Sequence, residues 1–363
     1  MTIVNARFLT QGTTGIQRFA TEITRELLRI RDDLTLAVPP GDLDDAGLDR
    51  SRIQTVGRFT GHAWEQIDLP RFARRRGELL LNLTSTGPMW HRPQISTLHD
   101  ITWIRHPESF SRRFRALYSV VIPRVVAHSE RMITVSEFSR GEISRRFGVP
   151  TDHFAVVPNS AQNILALAST PPATSSNRPY LLAVSSPNRH KNVARMLDAF
   201  AIFARTHPEV ELRVVGSQTN SFARQQFDTS DARVRFLGRV DDAELAALYR
   251  GALAFVFPSL YEGFGIPPIE AQMCGCPVIA ARAASLPEVL GDSALYVDPL
   301  DVDDIAAAMS RVADDEGVRA RLIAAGELNA RRFSWRESAE KVSDLLDEHS
   351  GIRSTRVRGA AIR

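Results

Sequence analysis

Apolar and polar positions follow two periods along this chain, and the alternation between them runs in two successive blocks. Residues 3–8 read as a strand. Residues 14–31 read as a helix, because Ile16, Phe19, Ala20, Ile23, Leu27 and Leu28 share one face at the 3.6-residue period. Short apolar runs at 34–38, 79–83, 94–98, 131–135 and 154–157 predict further strands. A second block restarts at 180–184, with strands expected at 211–215, 234–237, 253–257, 277–280 and 294–297 and helical patterns between them. Strands alternating with helices predict an α/β fold. Two such blocks predict two Rossmann-like, doubly wound domains facing each other across a cleft, with ligands at the strands' C-terminal ends. Residues 160–178, rich in Ser, Thr, Ala and Pro, read as the linker, so the expected domains are 1–165 and 176–334. Residues 335–349 carry Trp335, Ala339, Val342, Leu345 and Leu346 on one helical stripe, which must pack on something. The tail, 353–363, has almost no apolar face and reads as mobile and basic.

Composition narrows the class. A chain of 363 residues, 44% hydrophobic and 24% charged, is ordinary for a soluble protein of two domains. Its longest apolar runs are too short to span a bilayer, and its first ten residues lack a signal peptide's layout. With only Cys274 and Cys276, a disulfide framework is excluded and a reducing cytoplasm fits. The net charge of +3 is too small to imply nucleic acid. It is unevenly spread: residues 1–170 hold 22 basic and 17 acidic side chains, which would suit a phosphorylated or membrane-presented partner.

The densest chemistry lies in nine residues, Glu262, Gly263, Phe264, Gly265, Ile266, Pro267, Pro268, Ile269 and Glu270, just after an apolar strand. The two prolines suit the first turn of a helix, where a missing N–H costs nothing. Glu262 is thus expected in a loop at a strand's C-terminal end, and Glu270 in the first turns of the next helix. Gly263 and Gly265 let the backbone approach a ligand, and the helix start offers N–H groups and partial positive charge to an anion. Carboxylates beside an anion site have no use for the anion; they suit neutral hydroxyls. The unit therefore reads as built for a nucleotide-sugar.

This run, with the flanking FPSLYEGFGIPPIEAQMCGCPVIA and SLPEVLGDSALYVDP, resembles the glutamate-pair region of the GT-B glycosyltransferases, specifically the retaining enzymes of glycosyltransferase family four, a mannosyltransferase-like group. The resemblance covers roughly residues 5–346. It implies that the C-terminal domain holds a nucleotide-sugar and the N-terminal domain an acceptor, with helix 335–349 crossing back onto the N-terminal domain. Carried over, Glu262 lies near the donor sugar or its phosphates, and Glu270 binds the ribose hydroxyls. The amides of Gly263, Phe264 and Gly265 face sugar and phosphate. Lys191 matches the family's phosphate-gripping lysine, while the arginine common shortly before it falls on Ser185 or Ser186, so that either Arg189 supplies a second charge or there is none. Val240 corresponds to the nucleobase contact. Gly12 to Gly15, with Arg18 beyond, resembles the glycine-bearing first loop, and His99 with Asp100 stands where relatives carry an active-site histidine. Ser136 and the stretch Val157, Pro158, Asn159 match recurrent segments near the cleft.

The resemblance further implies transfer with retention by front-side attack, in which the leaving phosphate helps deprotonate the acceptor, without a metal cofactor. The expected function is hexose transfer to a saccharide or lipid-linked acceptor in bacterial surface polysaccharide or glycolipid assembly. GDP-mannose leads among donors, with UDP-glucose, UDP-galactose and dTDP-rhamnose open. A non-hydrolysing nucleotide-sugar epimerase and a catalytically silent carbohydrate-binding protein are the rival readings. Asp301 and Asp303 spell a D-x-D metal signature, but the helical run after them favours capping. Cys274 and Cys276 lack nearby histidines and read as small buried residues. Arg112, Arg113, Arg115 and Arg124, interleaved with Phe110, Phe114, Leu117 and Tyr118, form either a basic amphipathic surface for anionic lipid or phosphate, or a solvated helix face.

Overall fold

Across residues 1–167, 178–186, 188–216 and 231–349, which the computed structural model describes, the strands form two parallel sheets. The first contains β1 (Thr2–Asn5), β2 (Leu34–Val38), β3 (Ile53–Thr55), β4 (Leu79–Asn82), β5 (Gln94–Thr97), β6 (Arg131–Thr134) and β7 (Phe154–Val156). Its order is β3-β2-β1-β4-β5-β6-β7. The second contains β8 (Tyr180–Val184), β9 (Glu211–Val215), β10 (Val234–Gly238), β11 (Ala254–Phe257), β12 (Val278–Ala281) and β13 (Leu295–Val297), in the order β10-β9-β8-β11-β12-β13. Every pairing is parallel. The strand order reverses between β1 and β4, and again between β8 and β11, so each sheet has a switch point with a crevice beyond its strand ends. Most of the linker (168–177) and the expected tail lie outside the described residues, while Gln162–Leu167 forms a 3-10 helix.

The expected strand at 3–8 stops short. It ends at Asn5, and Arg7–Thr10 turns into a 3-10 helix. Asn5 causes the break: its amide donates to Glu65 Oε1 at 3.1 Å and Asn82 Oδ1 at 3.0 Å, and its Oδ1 accepts from the Arg7 N–H at 3.4 Å. Phe8 and Leu9 remain apolar because the turn folds them into the core. β3 escapes the hydrophobic pattern altogether, since Gln54 and Thr55 are exposed and this edge strand is held by pairing with β2.

The first helix, Gly15–Ile30, buries Phe19, Ala20, Ile23 and Leu27. The last, Trp335–His349, buries Trp335, Ala339, Val342, Leu345 and Leu346, the whole expected stripe. The two pack together: Arg31 donates to Ser343 Oγ at 3.0 Å and to Asp347 Oδ1 at 2.6 Å, and Trp335 meets Phe19 edge-on at 6.2 Å. Ser338 donates to the Pro158 carbonyl at 2.8 Å, a further tie to the first half. One hydrophobic cluster therefore runs from Val4 and Phe19 through Leu346 and Phe333 to Phe264 and Leu182. Among the described residues, no helix is long and apolar enough to cross a membrane.

Trp335 is 3% exposed at this junction. Replacing it with alanine is expected to destabilise the fold by about 3–5 kcal/mol through lost burial and a residual cavity. The check is the urea midpoint of the full chain; a parental midpoint would mean that this helix contributes nothing to holding the halves together.

Candidate active site

Both switch points open onto one cavity of about 380 Å³ between the sheets. From the second sheet, β8 leads into the short turn Arg189–Lys191, and β11 leads through a loop into the helix Ile266–Met273. From the first, the helix after β1 brings Gly15 and Arg18, and the end of β5 brings His99 and Asp100. Of the predicted site residues, these four line the cavity together with Lys191, Glu262, Gly263, Phe264, Gly265 and Glu270.

Lys191 Nζ lies 2.7 Å from Glu262 Oε1, a charge pair contributed by adjacent strands of the second sheet. Glu270 is 6% exposed, and the Tyr249 hydroxyl donates to its Oε2 at 3.2 Å. Burial pushes the Glu270 carboxyl above its usual range, while the Arg18 guanidinium opposes the shift. Arg18 reaches across from the first domain and grips Asp242 with 2.8 and 3.0 Å hydrogen bonds. His99 donates through Nε2 to the Leu83 carbonyl at 3.2 Å, which leaves Nδ1 as the basic nitrogen. Burial drops its pKa to about 4, so at neutral pH the ring is uncharged. Asp100 is pushed up by burial, with Glu262 adding repulsion, and its Oδ1 accepts from the Thr102 amide at 2.8 Å.

Three predicted residues stand apart from this cavity. Arg189 is exposed, because the tight 3-10 turn that points Lys191 inward turns Arg189 out. Val240 is half-buried and packs on the hydrophobic core. Ser136 is 1% exposed, and its hydroxyl is committed to capping the helix Glu137–Phe147 and to the Gly263 carbonyl at 2.7 Å. The glycines that line the cavity also have close neighbours within the protein. A Cβ at Gly263 would lie 2.9 Å from Asp100 Cβ and 3.0 Å from the His99 carbonyl, so the close approach is to the other domain. Gly265 has φ +93°, a left-handed conformation, and a Cβ there would sit 2.8 Å from Leu286 Cδ2. The side chain of Phe264 is buried edge-on against Phe333 at 5.2 Å, which leaves its backbone for the cavity.

Sequence reasoning placed Asn159 near the cleft without giving it a task. It lines the cavity at 3% exposure, and its Oδ1 has no hydrogen-bond partner among the described residues. The signal was its place just after β7, at the C-terminal edge where ligands gather. Among the described residues, no group of three or more His, Cys, Asp or Glu is arranged to hold a metal ion. Asp301 instead caps the helix Val302–Asp314, accepting from the Asp303 and Asp304 amides at 2.9 and 3.1 Å. Cys274 and Cys276 are buried, and burial raises both thiols, Cys274 to about 11.

Comparison with known proteins agrees with this geometry. The family model "Glycosyltransferase Family 4" matches residues 13–161, and "Glycosyl transferases group 1" matches residues 169–329. O-antigen chain mannosyltransferase B of Escherichia coli is 31% identical over 268 residues, which is 69% of this chain and 70% of that protein. The MMP alpha-(1->4)-mannosyltransferase of Mycolicibacterium hassiacum is 32% identical over 277 residues, 70% of this chain and 65% of that protein. D-inositol 3-phosphate glycosyltransferase of Corynebacterium kroppenstedtii is 30% identical over 292 residues, 72% and 63%. Sucrose-phosphate synthase of Thermosynechococcus elongatus superposes with a TM-score of 0.73 at 18% identity, covering 97% of this chain and 99% of its own. HepE of Anabaena, crystallised with UDP-glucose, gives 0.73 at 19% identity, covering 96% and 100%. With a two-sheet GT-B architecture and these relatives, the chain belongs to the family-four GT-B glycosyltransferases.

Proposed function

We propose that this glycosyltransferase is a retaining mannosyltransferase that takes its sugar from GDP-mannose and passes it to a saccharide or lipid-linked saccharide during surface polysaccharide assembly. The observation that carries the reading is the Lys191–Glu262 pair beside buried Glu270 in one cavity between the sheets. Mannose as the sugar is supported by the E. coli and Mycolicibacterium relatives, both named as mannosyltransferases.

In this reading Glu270 accepts from the ribose hydroxyls, and Tyr249 holds one of its oxygens in place. Pro267 and Pro268 have no N–H, so the amides on offer at this helix start are those of residues 263–266, which face the diphosphate. Lys191 meets the same diphosphate and stabilises it as it leaves. The bond from the anomeric carbon to the phosphate oxygen breaks as the acceptor oxygen attacks on the same face. The acceptor proton passes to the departing phosphate. Glu262 is released toward sugar hydroxyls when the diphosphate competes for Lys191. His99, uncharged, offers Nδ1 as an acceptor at the sugar, with Asp100 beside it. The protein's own cations do the electrostatic work in this scheme, so no metal cofactor is part of it.

The acceptor side extends over the first domain. Helix Arg112–His128 borders a groove of about 440 Å³ lined by Trp103, Arg112, Arg115, Arg146 and Phe147. Nearby Trp90 is 59% exposed, with Arg124 over its ring at 5.4 Å. Cations above an aromatic floor suit the anionic part of a membrane-presented acceptor, which supports action at the cytoplasmic face of a membrane.

Three outcomes are expected. Glu270→Ala should weaken GDP-mannose binding by about tenfold or more, the loss of hydrogen bonds to a charged group; calorimetry giving parental affinity would remove the ribose assignment. Transfer should survive excess EDTA; abolition that Mg²⁺ or Mn²⁺ reverses would overturn the metal-free scheme. The His99 ring should show flat NMR shifts between about pH 5 and 8, since its pKa lies at about 4. A midpoint near the ordinary histidine value would mean that burial does not hold the ring uncharged and that a fraction of it is protonated at neutral pH.

A further inference from the structure

The loop bearing Glu262 meets the first domain at His99 and Asp100 and, through hydrogen bonds, at one helix start. Helix Glu137–Phe147 follows β6 and is capped by Ser136, whose Oγ accepts from the Ser139 amide at 3.0 Å. The Ser136 hydroxyl then donates across the cleft to the Gly263 carbonyl at 2.7 Å, and the Ser139 hydroxyl donates to the same oxygen at 3.2 Å. In the return direction, the Glu288 carboxylate of the second domain accepts from the Glu137 amide at 2.7 Å and the Phe138 amide at 2.8 Å, one through each oxygen. The first amides of a helix have no partner within it and carry partial positive charge, so a carboxylate there satisfies both needs.

Glu288 is tied to the same loop from its own side. It lies in the short helix Leu286–Leu290, which begins at Ser285. The Ser285 hydroxyl is 2.9 Å from the Glu262 carbonyl and 3.2 Å from that of Phe264. Carbonyls 262, 263 and 264 are thus all held by serine hydroxyls, the middle one from the opposite domain. Ser136 and Ser139 are 1% and 0% exposed, while Glu288 sits at the rim. Glu288 does not line the cavity.

We propose that Glu288, Ser136 and Ser139 form a clasp between the domains that sets Gly263, and with it Glu262, against the cavity. Glu288 is a positioning residue: it touches neither substrate and acts through the helix start at Glu137 and the serines beside it. The clasp itself rests on contacts within the chain; its consequence for turnover rests on the glycosyltransferase reading. Donor contacts proposed for the second domain survive when the clasp opens, whereas the alignment of Glu262 with His99 and Asp100 does not.

Hydrogen exchange on the full chain, without substrate, tests the clasp directly. Glu288→Ala should speed exchange about three- to tenfold, the weight of a carboxylate at a helix start, in two peptides: one covering 136–140, the other covering 259–265 in the opposite domain. Strand β11 should keep its parental protection, which excludes general unfolding, and Glu288→Gln, with one acceptor oxygen left, should fall between. Faster exchange confined to 136–140, or no change, overturns the clasp, because a simple helix cap predicts no response across the cleft. Ser139→Ala, which leaves the Ser136 cap in place, should reproduce the response at 259–265. With GDP-mannose as probe, Glu288→Ala should keep its dissociation constant within about twofold while kcat falls about tenfold, the signature of lost alignment. Parental kcat would overturn the positioning role. A parent chain that binds no GDP-mannose would count against the proposed function, and the exchange data would still decide the clasp.

Discussion

An ammonium and a carboxylate shut into a cleft are tolerable only in each other's company, and the Lys191–Glu262 contact at 2.7 Å meets that condition. The fold makes it possible. β8 and β11 are neighbours only because the strand order reverses there, and each ends in the segment that carries one partner. Such a pair adds little net stability once both groups have lost their water, so its presence needs another reason. A bare carboxylate would repel an incoming diphosphate. With Lys191 against it, and the Phe257 ring 5.5 Å beneath the ammonium, the wall presents a cation that an anion can recruit. In the proposed scheme the carboxylate is then delivered to hydroxyls as the anion arrives.

A loop serving that purpose must be rigid, although its two glycines bring no side chains to brace it. Gly263 has no room for a Cβ against Asp100, and Gly265 needs a left-handed backbone. The backbone carbonyls are further handles, and serine hydroxyls from both domains take hold of them. Gly263 is pressed against the opposite domain, whereas the close neighbour of Gly265 is Leu286 of its own domain. The cavity stays narrow because the walls touch here.

How much of this was legible depends on whether the signal was local. Strands 34–38, 180–184 and 211–215 and the terminal helix 335–349 have the bounds expected from the hydrophobic pattern, since buried parallel strands and an amphipathic helix write their burial into consecutive residues. The strand at 3–8 was overdrawn because Phe8 and Leu9 are equally apolar whether extended or turned, and the break comes from Asn5 bonding to Glu65 and Asn82, 60 and 77 residues away. Strand β3, polar and at an edge, left no such trace. At the site, Glu262, Glu270 and Lys191 were found because turn chemistry and motif spacing are local. Arg189 was misplaced because one residue of rotation in a tight turn exchanges inside for outside. Glu288 was invisible, since its partners lie 150 and 151 residues earlier.

Arg18 shows why the two domains must act as one site. It belongs to the first helix, yet its charge is spent on the second domain: it grips Asp242 at 2.8 Å and holds down the carboxyl of buried Glu270. Glu270 is buried at the cavity wall, and that burial drives it toward the neutral form. A neutral acid accepts hydrogen bonds from a ribose less strongly than a carboxylate does. The cation that favours the ionised form comes from the half of the molecule assigned to the acceptor. Arg18 thus ties Glu270 to the first domain through its own grip on Asp242, a link separate from the contacts of Glu288. In the proposed scheme, binding energy gained at the ribose, far from the bond that breaks, goes into assembling the groups that surround it.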